Sequence, residues 1–430
     1  MKIHIYDQLN PEDEAMLQAL YSRSAASVTK HIKKVKQTGS GKFMERFYIG
    51  YGHASIGDCG STTIFIECVS ELVAKAIQDN QMYSGQQTSS RYVDLSRQPK
   101  VDPVATKTSA KILADWMKFY SQSQLELKNY LREKYPKQEG EDENIYQKAI
   151  AARGFDILRG FIPAANTTQL SWHTNLRQAM DKLNWLSGHP LPEARLAAGA
   201  ILKKLKQFYP HSFSCLETKQ QQNYRQLVGR LYAYYQNNAR TFRVNSTVKK
   251  ARLNQFANLI KKRPPATYLP PVLDELGQIT FNFLLDYGSF RDIQRHRHGV
   301  CRMPLLTEKF GFNKWYLNQL PPALRASAEN LIKKQIKAIK GIKAPKNIKQ
   351  YYYALGFNVS CRTTYTLPAA IYVAELRSAK TVHPTLRQTA HKMSAALNKL
   401  YPVLRLYSDL SPDNFEIRRG KQDIVEKKAN

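Results

Sequence analysis

The pattern of hydrophobic and polar positions predicts a strand followed by a helix early in the chain. Residues 61–67, with the sequence STTIFIE, alternate in polarity and are rich in β-branched side chains, which is typical of a half-buried strand. Residues 69–78, VSELVAKAIQ, place apolar side chains at helical spacing. A helix is therefore expected to follow the strand directly.

The same pattern returns much later. Residues 278–285, QITFNFLL, predict a strand, and residues 289–297, SFRDIQRHR, predict the helix after it. An offset of 216 positions superposes Phe65 on Phe281. A weaker similarity pairs the His-Pro of residues 189–190 with the His-Pro of residues 383–384.

This self-similarity predicts a fused pair of repeats rather than a solenoid, whose repeats would span only about 20–50 residues. The first repeat is placed at residues 1–220 and the second at residues 265–430. Residues 221–264 are expected to form a basic, helical connector, which Pro264 and Pro265 would end.

Composition narrows the class of protein. Of the 430 residues, 43% are hydrophobic and 11% aromatic, which favours a folded globular chain. No secretion signal is expected, because acidic residues interrupt the first residues, and no membrane span is expected, because no apolar run is long enough. The five cysteines contain no CxxC pair, so neither a disulfide framework nor a zinc site is predicted. A cytoplasmic location is expected.

The net charge of +31 predicts attraction to polyanions. The densest basic stretch is 331–350, where Ile332, Ile336 and Ile339 lie at helical spacing beneath the lysines. This favours an amphipathic helix with a solvated basic face. Nucleic acid binding is compatible with the charge but is not the favoured interpretation.

Three segments carry candidate chemistry. Arg295-His296-Arg297 ends the second predicted helix, where successive side chains would diverge by about 100° and contact different anions. Residues 83–92, YSGQQTSSRY, could form a loop whose backbone N–H groups bind an anion. His53 lies in a glycine-containing loop, where small side chains allow a ligand to approach.

Together these segments resemble the flavin-dependent thymidylate synthase family, whose chain carries GHxS, then RHR, then a loop ending in E-x-S-x-R-Y. The first repeat keeps His53 and Ser55 of GHxS and also Ser89 and Arg91 of the loop. The second repeat keeps RHR at 295–297. The resemblance covers most of both repeats, but each repeat holds only part of the pattern.

The losses in the two repeats are complementary. Asp79-Asn80-Gln81 stands where the first repeat would have RHR, and Leu305 and Thr307 replace the serine and arginine of the second loop. Leu269 stands at the position of His53. Because the family's homotetramer builds each site from several subunits, a fused pair can complete a site across its internal interface.

Further family positions survive only in the second repeat. Arg362 matches an arginine of the family's helical middle, where the first repeat has Gln169. Arg377 and His383 match the family's L-R…H segment, where the first repeat offers Leu186.

The resemblance implies an α/β fold of the α+β kind, in which two fused repeats each pack a small mixed sheet on long helices. A dimer of such fused pairs would mimic the family tetramer. The implied reaction is reductive methylation of dUMP to dTMP with FAD, methylenetetrahydrofolate as carbon donor and NADPH as reductant. This route needs no cysteine nucleophile, and Cys301 is expected to be a buried small residue.

The resemblance also implies the roles of individual residues. Arg377 would favour the polarised pyrimidine, and His53 would act with it while lining the flavin pocket. The residues expected to bind dUMP are Gln87, which is uncharged where the family has glutamate, Ser89, Ser90, Arg91 and Arg362. Those expected to bind FAD are Ser55, Arg295, His296, Arg297 and His383. No metal site is predicted.

Two other interpretations remain open. A flavin-dependent uracil methyltransferase acting on RNA would account for the net charge, and it predicts methylated uridine in RNA and a steep salt dependence of binding. A non-catalytic descendant that binds nucleotides or nucleic acid predicts a colourless purified protein.

Overall fold

Helices and short strands alternate along the chain, which confirms the α+β fold class. The computed structural model describes residues 8–90, 93–214 and 217–412. In the first half, a π-helical turn at Met44–Gly50 and a 3-10 turn at Arg159–Phe161 accompany the regular elements. These elements are α1 (Pro11–Tyr21), α2 (Val28–Thr38), α3 (Gly41–Phe43), α4 (Ala54–Asp58), β1 (Ser61–Ser70), α5 (Glu71–Gln78), α6 (Lys107–Lys134), α7 (Glu143–Leu158), β2 (Thr167–Asn175), α8 (Leu176–Ser187), α9 (Pro192–Phe208) and α10 (Lys219–Tyr232).

The second half adds 3-10 turns at Pro271–Leu276 and Gln350–Tyr352. Its elements are β3 (Arg243–Ser246), α11 (Lys250–Asn254), α12 (Ala257–Lys262), β4 (Gln278–Asp286), α13 (Tyr287–Ile293), β5 (Gly299–Arg302), α14 (Lys314–Asn318), α15 (Pro322–Gly341), α16 (Lys346–Lys349), β6 (Asn358–Thr366), α17 (Leu367–Ser378) and α18 (Pro384–Leu400).

The order of elements repeats in the two halves, in agreement with the duplication expected from the sequence. The pair β1 and α5 is matched by β4 and α13, and each helix begins immediately after its strand. Later, a 3-10 turn, β2, α8 and α9 are matched by a 3-10 turn, β6, α17 and α18. From the 3-10 turn to the end of α8 and α17, the offset is constant at 191 positions, as in Thr167 and Asn358.

The order of elements corrects two pairings expected from the sequence. Arg362 lies on strand β6, not on a helix, and its counterpart by strand position is Ser171 rather than Gln169. His383 directly precedes α18, so its counterpart is Leu191, which directly precedes α9. Short apolar runs do not distinguish a buried strand from a helix by periodicity alone, which explains the first error.

The chain divides into two compact units, and the first comprises the described residues of 1–69, 73–87 and 168–233. In this unit α1 packs against α2 and α4, and α8 packs against α9 and α10. A Cβ atom on Gly60 would lie 2.1 Å from the carbonyl oxygen of Pro11. Only glycine therefore allows the chain to pass so close to α1 before β1 begins.

The second unit comprises the described residues of 70–72, 88–167 and 234–430, so it contains parts of both sequence repeats. Its antiparallel sheet has the order β3-β4-β6-β5, and the segment expected to be a helical connector supplies β3 as well as α11 and α12. Helices α13 and α18 pack on β4, and α6 packs against α15. Alternate residues of β4 form the core: Ile279, Phe281, Phe283 and Leu285.

Helix α15 has the amphipathic character expected for the lysine-rich stretch. Ile332 and Ile339 are buried, whereas Lys333 and Lys337 are exposed. Over the described residues, no helix is both long and apolar enough to cross a membrane.

Candidate functional site

Helix α13 is anchored in the core of the second unit. The Oδ2 atom of Asp286, just before the helix, accepts hydrogen bonds from the backbone N–H of Ser289 at 2.8 Å and from the Tyr316 hydroxyl at 2.7 Å. Asp286 and Ser289 are fully buried. The helix ends at Ile293, so the prediction of a helix through Arg297 is wrong for its last turn.

Arg295-His296-Arg297 therefore forms a turn beyond the helix. The backbone N–H of His296 donates to the carbonyl oxygen of Ile293 at 3.1 Å. The Arg295 side chain is 52% exposed and lies 3.6 Å from the Asp292 carboxylate, whereas His296 is buried. The side chains of Arg295 and His296 do meet different surroundings, but they lie beyond the end of the helix, so helical rotation does not produce this divergence.

Arg377, near the end of α17, fixes His296. Its Nε donates to His296 Nε2 at 2.6 Å, and its Nη2 donates to the carbonyl oxygen of Asp292 at 2.8 Å. Because arginine only donates hydrogen bonds, His296 Nε2 must act as an acceptor, and the ring proton belongs on Nδ1. Arg377 and His296, both predicted site residues, are thus brought together.

His296 is a neutral imidazole at physiological pH. Burial lowers the pKa of His296 to about 3, and the positive charge of Arg377 acts in the same direction. A neutral buried imidazole offers fixed hydrogen-bonding atoms without an added charge.

An aromatic cavity adjoins this turn. The His296 ring meets Tyr372 edge-on at 5.9 Å, and Tyr372 stacks on Tyr268 at 4.5 Å. Both tyrosines line a cavity of about 320 Å³, and Leu269, the residue at the position of His53, lines it as well. A hydrogen bond with Tyr372 raises the pKa of Tyr268 to about 12, so this phenol stays protonated.

A buried ion pair closes one side of the same cavity. Arg263 binds both carboxylate oxygens of Glu375, with one contact at 3.1 Å, and its guanidinium lies 5.0 Å from the ring centre of Tyr407. Glu375 also accepts the backbone N–H of Tyr407 at 2.8 Å. Since both charges are paired, this wall presents polar atoms without a net charge.

Arg291 of α13 joins the two repeats within the second unit. Its Nη1 donates to Glu71 Oε1 at 2.6 Å and its Nη2 to Ser90 Oγ at 2.9 Å. All three side chains are buried. Glu71 and Ser90 belong to the first repeat, so the helix that leads to RHR contacts both the start of α5 and the S-x-R loop.

The loop at 83–92 is organised differently from the anion-binding loop expected from the sequence. Residues 84–87 pair with β2: the backbone N–H of His173 donates to Ser84 at 2.7 Å, and that of Gln86 donates to Ser171 Oγ at 3.1 Å. The paired N–H of Gln86 is therefore not available to an anion. Ser90 is buried against Arg291, and Arg91 lies outside the described residues.

Three predicted site residues lie in the first unit. His53 and Ser55 are exposed at the start of α4, with the His53 ring 6.0 Å from that of Tyr51. Gln87 accepts a hydrogen bond from Gln78 at 3.1 Å. Their assigned roles stay predictions.

Arg362 and His383 occupy contrasting places in the second unit. Arg362 is exposed on β6, with its guanidinium 6.0 Å from the ring centre of Tyr235. His383 is fully buried, and its Nδ1 atom shares a hydrogen bond of 2.8 Å with Thr385 Oγ1. The centres of the His383 and Trp315 rings are 4.6 Å apart. His383 therefore lies in the interior and not on the wall of the aromatic cavity.

A buried network surrounds His383. Arg159 donates to Ser289 Oγ at 2.9 Å, and that hydroxyl also lies 3.3 Å from His383 Nδ1. Burial alone would lower the pKa of Arg159, but Tyr316 and nearby carboxylates, led by Asp292, raise it overall. The guanidinium of Arg159 thus stays charged and binds Ser289 and Asp292 in the interior of the second unit.

Sequence reasoning missed Arg291, Glu71, Arg263 and Glu375. One signal was present, because the offset of 216 places Arg291 on Lys75, a second basic residue at a buried helical position. No local pattern could have paired Arg291 with Glu71, which is 220 positions away. Cys301 and Cys361 are buried cysteines, as expected for Cys301.

Comparisons with known proteins agree with the motifs. Residues 5–211 match the model of the thymidylate synthase complementing protein family. A UPF0159 protein of Chlamydia muridarum is 24% identical over 85% of this chain and 80% of its own length. The UPF0159 protein Ta1429 of Thermoplasma acidophilum is 23% identical over 91% of this chain and 94% of its own length.

Proposed function

We propose that this protein is an FAD-dependent thymidylate synthase, because residues 5–211 match the model of the thymidylate synthase complementing protein family. The substrate is dUMP, the carbon donor is methylenetetrahydrofolate and the reductant is NADPH. The assembly is a dimer of fused pairs, which light scattering would test.

One observation carries the proposal. The contacts of Arg291 with Glu71 and Ser90, at 2.6 and 2.9 Å, join parts of the first repeat to the helix that leads to RHR. Each repeat has lost family motif residues that the other repeat keeps. An active site can survive such losses only if the remaining residues of both repeats lie in the same site. Ser90 acts here as a positioning residue, since its hydroxyl faces Arg291.

The aromatic cavity fits part of a flavin. Its volume of about 320 Å³ lies near the lower end of ligand pockets. The pair Tyr268 and Tyr372 offers a flat aromatic surface, and the exposed guanidinium of Arg295 is suited to a phosphate. When bound, FAD would supply the hydride of the reaction.

Residues of the chain itself would orient the flavin and the pyrimidine. Arg377 holds His296 in one tautomer, and the neutral His296 fixes the edge of Tyr372 beside the cavity. With its guanidinium anchored on the turn, Arg377 is a fixed positive group for charge that develops on the pyrimidine.

The test combines a spectrum with a turnover assay. We expect the purified protein to be yellow and to release tritium from C5-labelled dUMP when methylenetetrahydrofolate and NADPH are present. A yellow protein that releases no tritium but methylates uridine in RNA would identify the polymer-specific enzyme instead. A colourless protein that FAD does not reconstitute would overturn the proposal.

A further inference from the structure

A second cavity, of about 430 Å³, lies in the second unit. Leu305 and Thr307, the residues at the positions of Ser89 and Arg91, line it. The second repeat has lost the polar pair of the S-x-R loop but keeps a cavity there.

The walls of this cavity are strongly basic. They carry the side chains of Lys309, Lys340, Lys346 and Lys349, against the single carboxylate of Glu308. Four ammonium groups and one carboxylate leave three net positive charges. Concave walls of one sign concentrate their field on a small volume.

Two of the lysines are held by uncharged oxygen atoms. Lys349 donates to the carbonyl oxygen of Lys340 at 3.0 Å, which ties α16 to the end of α15, and Lys309 donates to Asn238 Oδ1. These contacts position the ammonium groups without neutralising them.

The carboxylate of Glu308 is held on the cavity wall. Tyr353 donates its hydroxyl to Glu308 Oε2, and Lys340 lies 3.7 Å from Oε1. Partial burial would raise the pKa of Glu308, but Tyr353 and the nearby lysines lower it overall. Glu308 therefore subtracts one charge and leaves the excess of lysines intact.

We propose that this cavity binds a small molecule of nucleotide size with at least two phosphate groups. Three excess positive charges surpass what one phosphate monoester would neutralise, and the volume falls within the usual range for ligand pockets. Tyr235 and Phe310 supply aromatic surface for the remainder of the ligand. The proposal does not depend on the thymidylate synthase activity.

Calorimetric titration of the full-length protein with inorganic pyrophosphate tests the proposal. The double variant K340Q/K346Q should bind pyrophosphate roughly tenfold more weakly or worse, because charge-assisted hydrogen bonds are lost. The matched control K333Q/K337Q removes two exposed charges of α15 outside the cavity and should change the affinity less than about twofold. Equal losses in both variants, or no binding by the unmodified protein, would overturn the proposal.

A second variant has the opposite expected sign. The substitution Glu308→Gln removes the one carboxylate and keeps an acceptor for Tyr353, so pyrophosphate should bind several-fold more tightly. Weaker binding by E308Q contradicts the proposal. A single-stranded oligonucleotide that binds tightly and is not displaced by pyrophosphate would assign the surface to nucleic acid instead.

Discussion

The turns that follow α5 and α13 stand at matching places in the two repeats and carry opposite chemistry. The first is Asp79-Asn80-Gln81 and the second is Arg295-His296-Arg297. Lys182 donates to the carbonyl oxygen of Asp79 at 2.6 Å, and Arg377 donates to that of Asp292 at 2.8 Å. In both repeats a cation binds the end of the helix, although the two cations come from different positions of the repeats. The arginines of the motif are found only in the second copy.

The interiors of the two helices extend the comparison. Lys75 and Arg291 are both buried at matching positions; Lys75 donates to Gln78 of its own helix, whereas Arg291 donates to Glu71 and Ser90 from distant segments. The planar fork of arginine suits two partners at once. Arginine in place of lysine at this position therefore allows α13 to bind two distant segments, one at Glu71 and one at Ser90.

The largest effect is expected from Arg291→Met. It leaves the carboxylate of Glu71, whose side chain is 1% exposed, buried without its partner, and we expect a loss of about 3–5 kcal/mol in the free energy of unfolding. Urea unfolding measures it. The double variant E71L/R291M should lose much less, and equal losses in the single and double variants would show that the ion pair is not responsible.

Arg377→Ala should abolish most turnover while flavin remains bound. Removal of one fixed group that stabilises developing charge costs roughly 100-fold to 1,000-fold in kcat. Tritium release and the flavin spectrum are the measurements. Lys182→Ala removes a cation that binds the carbonyl oxygen of Asp79 after α5 in the first repeat; this control should retain most activity, and an active R377A enzyme would refute the role of Arg377.

Stability should fall with acidification because His296 is buried and neutral. The pKa of His296 is lowered from 6.5 to about 3 in the folded protein, so below pH 6.5 the unfolded chain takes up a proton that the folded chain does not. The free energy of unfolding therefore falls by about 1.4 kcal/mol for each pH unit below 6.5. This loss stops increasing below about pH 3, where the folded protein also takes up the proton. Unfolding at several pH values should show a shallower slope for His296→Gln.

His189 in the first unit is a second histidine with a strongly lowered pKa, although it does not occupy the position that matches His296. Burial, with Lys182 and Arg195, lowers the pKa of His189 to about 3. His189→Gln should therefore flatten the same pH dependence, whereas only His296→Gln should also change turnover. Equal effects of the two variants on turnover would remove the functional distinction between the repeats.

The smallest effect is expected from transferring charge to the first turn. Asp79 and Gln81 are exposed, so D79R/Q81R should alter the free energy of unfolding by no more than about 0.5 kcal/mol. It should not replace the activity lost in Arg295→Ala, because the first turn lacks the Arg377 contact. Restored tritium release in the combined variant would contradict this.

The amino-acid sequence by itself determined the duplicated order of strand and helix, the complementary motifs and the amphipathic character of α15. These features can be predicted from the sequence, because the spacing of apolar residues within short segments indicates each strand and helix. A constant offset between similar segments then indicates the duplication. Tertiary structure alone decided that α13 ends at Ile293, that Arg362 lies on a strand, and that Arg291 pairs with Glu71. These outcomes depend on caps, strand partners and buried charges supplied by segments far away in the chain, where no local pattern records them.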